Sequence, residues 1–370
     1  MNINYKKIIP QLLTLLVVIL VFGFFSYNAQ VNMENRGITF GYGFLSQESS
    51  FDVQFSLIEY DGSHSYFRAY LVGLLNTILV SVIGIVFATI IGVVVGIARL
   101  SKNYLIERSA AVYVEFFRNI PLLLQIFFWY FAALRALPLP QKAEPMLGVF
   151  FLTIKGLFVP AFIWNNLDVF IYSIIAAIIA ITFVRLYAKK KQENEGVQTP
   201  VLLISIGLLL ILPLLSFLIG GASFYIEVPV IKQLSQSSFT YEGGIGLPPE
   251  LIALALALSL YTATFIAECV RAGVQGVGKG QKEAAASIGL TPNQVLKLVV
   301  MPQALRIIIP PTTNQYLNLT KNSSLAAAIA YPDLVLVFAG TALMQTGKAI
   351  EIVSITMLTY LSISLSISLL

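Results

Sequence analysis

Apolar runs recur along the whole chain, and short clusters of basic residues separate them. A helix of about 20 apolar residues is long enough to cross the hydrocarbon core of a bilayer. Hydrophobic residues make up 57% of the 370 residues and charged residues only 11%, whereas soluble globular proteins carry about 25% charged residues. The chain has too little polar surface for a soluble fold, and the pattern predicts an all-α, multi-spanning membrane protein.

The basic clusters predict the orientation of these helices. Lys and Arg accumulate in cytoplasmic loops, and successive apolar runs place every basic cluster on the same side of the membrane. This gives about eight spans, with both termini in the cytoplasm. The predicted spans are Ile8–Tyr27, Ala69–Ala98, Pro121–Leu137, Asp168–Ala188, Thr199–Gly220, Glu250–Val270, a broken stretch from Pro302 to Met344, and Ile350–Leu370.

The first apolar run follows Lys6 and Lys7 and extends from Ile8 to Tyr27. It is longer than the apolar region of about 7–15 residues that is typical of a cleaved signal peptide. Its length favours an uncleaved anchor helix, and the alternative is a signal peptide that is cut near Ala29. The acidic segment that follows is expected to lie outside, in the periplasm.

Small residues occur at four-residue spacing in the second run, at Gly84, Ala88, Gly92 and Gly96. Small residues on one face of a helix let a second helix approach closely. The stripe therefore predicts a helix-packing surface rather than a binding site.

Signals for other kinds of chemistry are weak. One cysteine and one histidine, Cys269 and His64, exclude an intramolecular disulfide framework and a zinc or haem site. Gly273–Lys279 partly matches a phosphate-binding loop, but Gly280 stands where that motif has a Ser or Thr. We therefore expect no nucleotide binding, catalytic residue, cofactor, metal or nucleic-acid partner for this chain.

The most specific feature is a pair of short helical patterns between two apolar runs. Glu283–Leu290 is rich in helix-forming residues, and Asn293–Val300 favours a second, amphipathic helix. Thr291 can cap the helix that Pro292 opens, and Pro302 is expected to start the next span. Two short cytoplasmic helices joined by a sharp turn are suited to fit a groove in a partner protein.

This segment resembles the coupling loop of ABC importer permeases. An acidic residue and two alanines are followed after three residues by a glycine and, after nine more, by Val299-x-Met301-Pro, where the family has Ile-x-Leu-Pro. The resemblance implies docking on a separate ATP-binding subunit, and it implies that the glycine supplies a turn with positive φ or close approach. The residues implied in coupling are Glu283, Ala284, Ala285, Gly289 and Pro302.

Three further segments, Gly73–Ser101, Tyr113–Phe131 and Leu317–Leu334, resemble the polar amino-acid branch of the same family. The resemblance implies a type I ABC importer permease core of five helices, with an extra N-terminal helix and an inserted helix pair. This enlarged form is similar to the permeases of general L-amino-acid and glutamate/glutamine/aspartate/asparagine importers. The implied parts are an anchor helix and periplasmic loop (1–65), a first part of the core (66–135), the insert (136–248) and a second part of the core (249–370) with the coupling loop at 283–302.

The resemblance also implies a machine of several subunits within membrane lipid. A related second permease would complete the pore, a dimer of ATP-binding subunits would dock on the cytoplasmic side, and a periplasmic amino-acid-binding protein would deliver the substrate. This chain would be the transport subunit, without an ATPase domain of its own. The alternative is an ion-gradient-driven secondary transporter, which would need acidic residues deep within its spans and would not need the cytoplasmic helix pair.

Polar residues inside apolar spans indicate the substrate pathway, because ionisable groups in a membrane are costly and are usually kept for function. A dense polar run follows Pro310 and Pro311. We expect the backbone there to be unwound and to line a wet cavity. The candidate pathway residues are Thr262, Glu268, Asn314, Asn318, Lys321 and Asn322.

Three of these candidates have another explanation. Glu268 is spaced to form an ion pair with Arg271 on its own helix. The hydroxyl of Thr262 can bond to a carbonyl of its own helix. Lys321 can extend toward the outer membrane interface and anchor its helix there.

Overall fold

A computed structural model describes residues 5–35, 41–197, 200–219, 221, 223–233 and 239–369. Most of these residues lie in helices, and seven of the helices are long and apolar enough to cross a membrane. The pair Tyr104–Asn119 and Leu122–Ala136, bent by 100° at its break, raises the number to eight if the pair is one crossing. The prediction of an all-α protein with about eight spans is confirmed.

The helices are numbered α1 to α11 in chain order. They are α1 (Tyr5–Asn35), α2 (Tyr66–Ala98), α3 (Tyr104–Asn119), α4 (Leu122–Ala136), α5 (Leu167–Glu195), α6 (Val201–Leu218), α7 (Pro249–Gln275), α8 (Lys279–Ser287), α9 (Pro292–Ile329), α10 (Val335–Thr346) and α11 (Ala349–Ser368). Short 3₁₀ turns lie at Gly43–Ser46 and Pro140–Lys142.

The N-terminal helix α1 continues beyond the predicted span and passes through Ala29 without a break. The side chains of its apolar segment, Ile9–Asn28, are not buried against other parts of the described structure. This exposure fits a helix whose apolar side chains face lipid.

Short strands are a feature of the middle of the chain that the sequence analysis did not predict. From its sequence, the segment Ala136–Leu167 is predicted to be an outer loop, with or without a helix that lies in the membrane interface. The structure instead has seven short strands, β1 (Phe151–Thr153), β2 (Gly156–Val159), β3 (Ala161–Asn165), β4 (Ser223–Glu227), β5 (Val230–Gln233), β6 (Phe239–Glu242) and β7 (Ile245–Leu247), in the described residues. Three of them form an antiparallel sheet in the order β1-β2-β7. The other four form two antiparallel pairs, β3 with β4 and β5 with β6.

The described residues fall into two compact units, one made of Met1–Val114 and Thr262–Leu370 and the other of Glu115–Tyr261. In the second unit, α5 and α6 pack as a hairpin, and the antiparallel pair of β3, which precedes α5, and β4, which follows α6, closes its open end. The ring of Trp164 lies 4.9 Å from that of Phe170 and 5.4 Å from that of Phe224. These large rings bury apolar area where the hairpin meets the β3–β4 pair.

The first unit is organised around α2. A Cβ atom added at Gly92 would lie 2.6 Å from Cβ of Ile266, and one at Gly96 would lie 2.7 Å from Cβ of Val270. A Cβ at Gly84 would lie 3.1 Å from the side chain of Leu319. The small-residue stripe therefore lets two other helices pack closely against α2, as the sequence predicts.

The helix α9 differs from the sequence expectation. It runs unbroken through Pro310 and Pro311, so the predicted unwinding after these prolines is wrong. A proline removes one N–H donor from a helix, but neighbouring turns keep their own bonds and the helix continues. The break comes later, at Ala330 with φ +61°, after a tight 3₁₀ segment at Ser323–Ile329.

Candidate coupling loop and transport pathway

The candidate coupling loop contains the short helix α8 and a glycine turn that follows it. α8 ends at Ser287, and Gly289 follows with φ +86°, a conformation that residues with a Cβ rarely adopt. The N–H of Gly289 donates to the carbonyl of Ala286 at 3.0 Å, and the N–H of Leu290 donates to that of Ala285 at 3.3 Å. No other atom lies within 4 Å of a Cβ built at Gly289, so the backbone angle rather than space requires glycine here.

Thr291 takes the N-cap position of α9, and Pro292 opens the helix, as the sequence predicts. The backbone N–H of Thr291 donates to Oε1 of Gln294 at 2.9 Å, which satisfies a donor that the helix itself leaves unpaired. The second short helix of the sequence analysis is not separate: it is the first part of α9, and a wide π turn at Val295–Val300 connects it to the rest.

A small apolar core holds the loop against the start of α9. Val277, Val300 and Ala304 are buried together, and Val274 and Ile308 pack against them. The chain that leads from α7 into α8 is therefore packed directly against α9, in the close-packed manner of a protein interior.

The outer surface of the loop remains accessible. Of the residues that the resemblance assigns to coupling, Glu283, Ala284, Gly289 and Pro302 are exposed, whereas Ala285 is buried. An apolar groove of about 380 Å³ runs beside them. Its lining residues are Val274, Lys282, Ala286, Leu290, Pro292, Val295, Leu296 and Val300.

An ion-pair network joins α2 and α7. The carboxylate of Glu268 forms an ion pair with Arg99, the residue directly after α2, and also accepts from Arg271, at 3.0 Å from Nε and 2.8 Å from Nη2. The sequence spacing indicates the pair with Arg271, but it contains no signal for the pair with Arg99. The Glu268 side chain is only 23% exposed, and its negative charge is balanced by the two arginines.

The candidate pathway residues on α9 share one face. Asn314, Asn318 and Lys321 are exposed at spacings of four and three residues, and Asn322 is half-buried beside them. Such spacings place side chains on the same side of a helix. Thr262, by contrast, is 3% exposed and is enclosed by the packing of its own unit, so it does not join this face.

Buried polar contacts that the sequence analysis missed hold the break after α9 against α2. The amide of Asn76 donates to the carbonyl of Pro332 at 2.9 Å, and the hydroxyl of Tyr331 donates to the carbonyl of Asn76 at 3.0 Å. Oγ1 of Thr77 accepts from the N–H of Leu334 at 2.9 Å. An Asn-Thr pair inside a long apolar run was the available signal, because buried amides and hydroxyls need partners.

Comparison with known proteins identifies the family to which this chain belongs. Residues 196–370 match the family described as binding-protein-dependent transport system inner membrane component. The chain is 47% identical to the putative amino-acid ABC transporter permease protein YhdX of Escherichia coli, over 97% of this chain and 91% of that protein. It is 46% identical to the general L-amino acid transport system permease protein AapQ of Rhizobium johnstonii, over 99% of this chain and 90% of the relative.

A third relative has a lower sequence identity but aligns with as much of the chain. The glutamate/glutamine/aspartate/asparagine transport system permease protein BztB of Rhodobacter capsulatus is 39% identical, over 99% of this chain and 92% of its own length. The similarity to all three relatives includes the anchor helix, the inserted hairpin and the coupling loop, because nearly the whole chain is aligned. The chain therefore belongs to the family of amino-acid ABC transporter permeases.

Proposed function

We propose that this chain is the membrane-spanning permease subunit of an ABC importer that moves amino acids from the periplasm to the cytoplasm. ATP hydrolysis in a separate subunit drives the transport. The observation that carries the proposal is the near-complete similarity to amino-acid permeases, together with an exposed coupling loop packed directly on α9. An ion-gradient-driven transporter, the alternative from sequence, is not favoured by this family membership.

The basic residues set the proposed orientation. Arg99, Lys102 and Arg108 follow α2, and Lys279 and Lys282 lie on α8, so these ends face the cytoplasm by the positive-inside rule. The outer end of α2 and the beginning of α7 then face the periplasm. With this orientation the termini lie in the cytoplasm and the protein occupies the inner membrane.

Coupling to the ATPase follows from the loop geometry. The exposed Glu283 and Ala284 enter a cleft of the ATP-binding subunit, and the turn at Gly289 sets the angle at which α8 is presented. Closure of the ATPase dimer moves α8, and the packing of Val277, two residues before α8, with Val300 transmits the motion to α9. The transport pathway responds because α9 carries the polar face.

The polar face of α9, formed by Asn314, Asn318, Lys321 and Asn322, either lines the substrate pathway or contacts the second permease. Exposed amides at Asn314 and Asn318 and the ammonium group of Lys321 find no hydrogen-bond partner in hydrocarbon, where each unsatisfied polar group is costly. In the assembled complex they therefore face water, substrate or the partner subunit. One permease supplies half of the pore, and a related permease supplies the other half.

Reconstitution tests the function directly. The chain would be co-purified with the second permease, the ATPase and the binding protein of the same organism and placed in liposomes. We expect uptake of radiolabelled amino acids that requires internal ATP, stops with a non-hydrolysable ATP analogue and persists when ionophores remove ion gradients. Uptake that needs an ion gradient and proceeds without ATP would favour the secondary transporter instead.

A further inference from the structure

A cavity of about 350 Å³ opens beside the beginning of α7, within the unit Glu115–Tyr261. Small-molecule sites in proteins occupy about 300–1,000 Å³, so this volume suits a small ligand. The lining residues are Tyr130, Leu134, Arg135, Ile154, Pro249 and Glu250. None of them belongs to the coupling loop or to the polar face of α9.

Two opposite charges lie at this cavity, and Tyr130 contacts both. Its hydroxyl donates to Oε1 of Glu250 at 2.7 Å. The guanidinium carbon of Arg135 lies 6.0 Å from the centre of the Tyr130 ring and 5.5 Å from the centre of the Phe131 ring. These rings attract the cation and favour a position of the exposed guanidinium beside the cavity.

The two charged groups form no direct ion pair with each other in the described structure. Among the ion pairs of the described residues, none with an N···O distance of 4.0 Å or less includes Arg135 or Glu250. Glu250 lies in the first turn of α7, where the positive end of the helix dipole favours a carboxylate anion. The cavity thus offers one cationic and one anionic group at the same time.

We propose that this cavity binds a free amino acid by both of its charged ends. The guanidinium of Arg135 takes the α-carboxylate, as a planar donor fork that matches a carboxylate, and the carboxylate of Glu250 takes the α-ammonium group. Leu134, Ile154 and Pro249 face the amino-acid side chain with apolar surface, which tolerates different side chains. The inference deepens the proposed function, on which it rests.

The charges also define what the cavity rejects. A ligand with only a carboxylate meets the repulsion of Glu250, and a ligand with only an ammonium group meets that of Arg135. Because α7 begins at the periplasmic end in the proposed orientation, the site lies where an amino acid arrives from outside. It is a first binding station, ahead of the polar face of α9.

Direct binding tests the proposal without the periplasmic protein, which has its own amino-acid site. The complex of permeases and ATPase would be placed in nanodiscs and titrated with radiolabelled L-glutamine and L-alanine. We expect saturable binding, and we expect N-acetyl-L-glutamine and L-glutamine amide to compete about tenfold or more weakly than L-glutamine, since each lacks one charge.

Variants locate the binding in this cavity. Arg135→Gln and Glu250→Gln should each weaken binding about ten- to a hundredfold, the usual effect of losing a charged hydrogen bond. Lys142→Gln and Glu144→Gln make the same charge changes at exposed positions outside the lining and should leave binding unchanged. Ile154→Trp fills the cavity without changing charge, and it should abolish binding even if a charge variant assembles poorly.

The outcomes separate this site from the function of the whole protein. Unchanged binding in Arg135→Gln, Glu250→Gln and Ile154→Trp overturns the site, as does the absence of saturable binding to the unmodified complex. If ATP-driven uptake by the unmodified complex is then still observed, the proposed function stands and only the site is lost. Absence of ATP-driven uptake in the complete system counts against the function itself.

Discussion

Glu268 on α7 forms an ion pair with Arg99 at the end of α2, and this contact joins two helices that are distant in sequence. The same carboxylate also binds Arg271. All three side chains are less than one-third exposed, at 18% for Arg99, 23% for Glu268 and 31% for Arg271. Removing the carboxylate leaves two partly desolvated cations side by side, which is unfavourable.

We predict that Glu268→Gln lowers the free energy of unfolding by about 1–3 kcal/mol, the usual loss for a charged hydrogen-bonded group. Thermal unfolding of the purified complex in detergent measures the change. Glu195→Gln at the exposed end of α5 is the control, because it makes the same substitution outside the proposed ATPase contact, at a residue for which the described structure shows no ion pair.

The same variant distinguishes an ion pair from a pathway residue. In a double-mutant cycle, Arg99→Gln combined with Glu268→Gln should cost less than the sum of the two single changes, because the two groups interact. Uptake per folded complex should stay near that of the unmodified protein. Unchanged stability with a large loss of uptake would instead assign Glu268 to the pathway.

The close approach of α7 to α2 at Gly92 gives a second prediction. Gly92→Ala should destabilise the protein by about 1–3 kcal/mol, because the added methyl group must displace Ile266 or the backbone near Ala263. Gly207→Ala on α6 is the control, since a Cβ there meets nothing within 4 Å and alanine favours a helix. Equal melting temperatures for the two variants would contradict the packing seen at Gly92.

Local signals were sufficient for much of this structure. Hydropathy located most of the long helices, because an apolar run of about 20 residues is long enough for one membrane-spanning helix, and the four-residue spacing located the packed face of α2. At the coupling loop, Gly289 and Pro292 constrain the backbone by their own covalent structure. A short stretch of sequence therefore predicted the turn without knowledge of its neighbours.

Contacts between distant segments could not be predicted in this way. The pairing of Arg99 with Glu268, and that of Tyr130 with Glu250, depends on how helices pack, and one sequence contains no record of that. The strands of the insert were missed because strands of three to five residues are too short for a clear alternating pattern. Pro310 and Pro311 misled the analysis, since a proline weakens a helix but does not always end it.

Gly289 provides a test of coupling. Gly289→Asp places a Cβ and a charge at a backbone φ of +86° and should reduce ATP-driven uptake to a small fraction of normal, while the complex still inserts and assembles. The measurement pairs uptake with substrate-stimulated ATPase activity in liposomes. Gly280→Asp adds the same charge to the same short helix at an ordinary backbone angle, and its effect should be smaller. Normal uptake and stimulated ATPase activity in Gly289→Asp would remove the coupling assignment.

The glycine-rich segment before α8 provides a test of the division of labour between subunits. Gly280 lacks the hydroxyl with which a phosphate-binding loop holds magnesium. We therefore expect no saturable binding of a fluorescent ATP analogue to this chain purified alone, whereas the ATP-binding subunit should bind it under the same conditions. Specific, ATP-displaceable binding to the isolated chain would refute this expectation.

Lys321 is the sharpest test of the polar face of α9. It lies three residues from Asn318 on the same side of the helix, and both side chains are exposed in the single chain. In the pathway its ammonium group would attract the α-carboxylate of a passing amino acid. Lys321→Met should then cut uptake about tenfold or more, with the amount of assembled complex unchanged, while Lys321→Arg should retain part of the activity because it keeps the charge.

The competing role for Lys321 is an anchor at the outer membrane interface, reached by its flexible side chain. An anchor would make Lys321→Met nearly neutral for uptake and Lys321→Arg fully active. Asn314→Ala, one helical turn before Asn318, extends the comparison along the same face and should also lower uptake if that face lines the pathway. Uptake normalised to complex in the membrane separates the two roles, because an anchor supports the amount of protein, whereas a pathway residue supports the rate per protein.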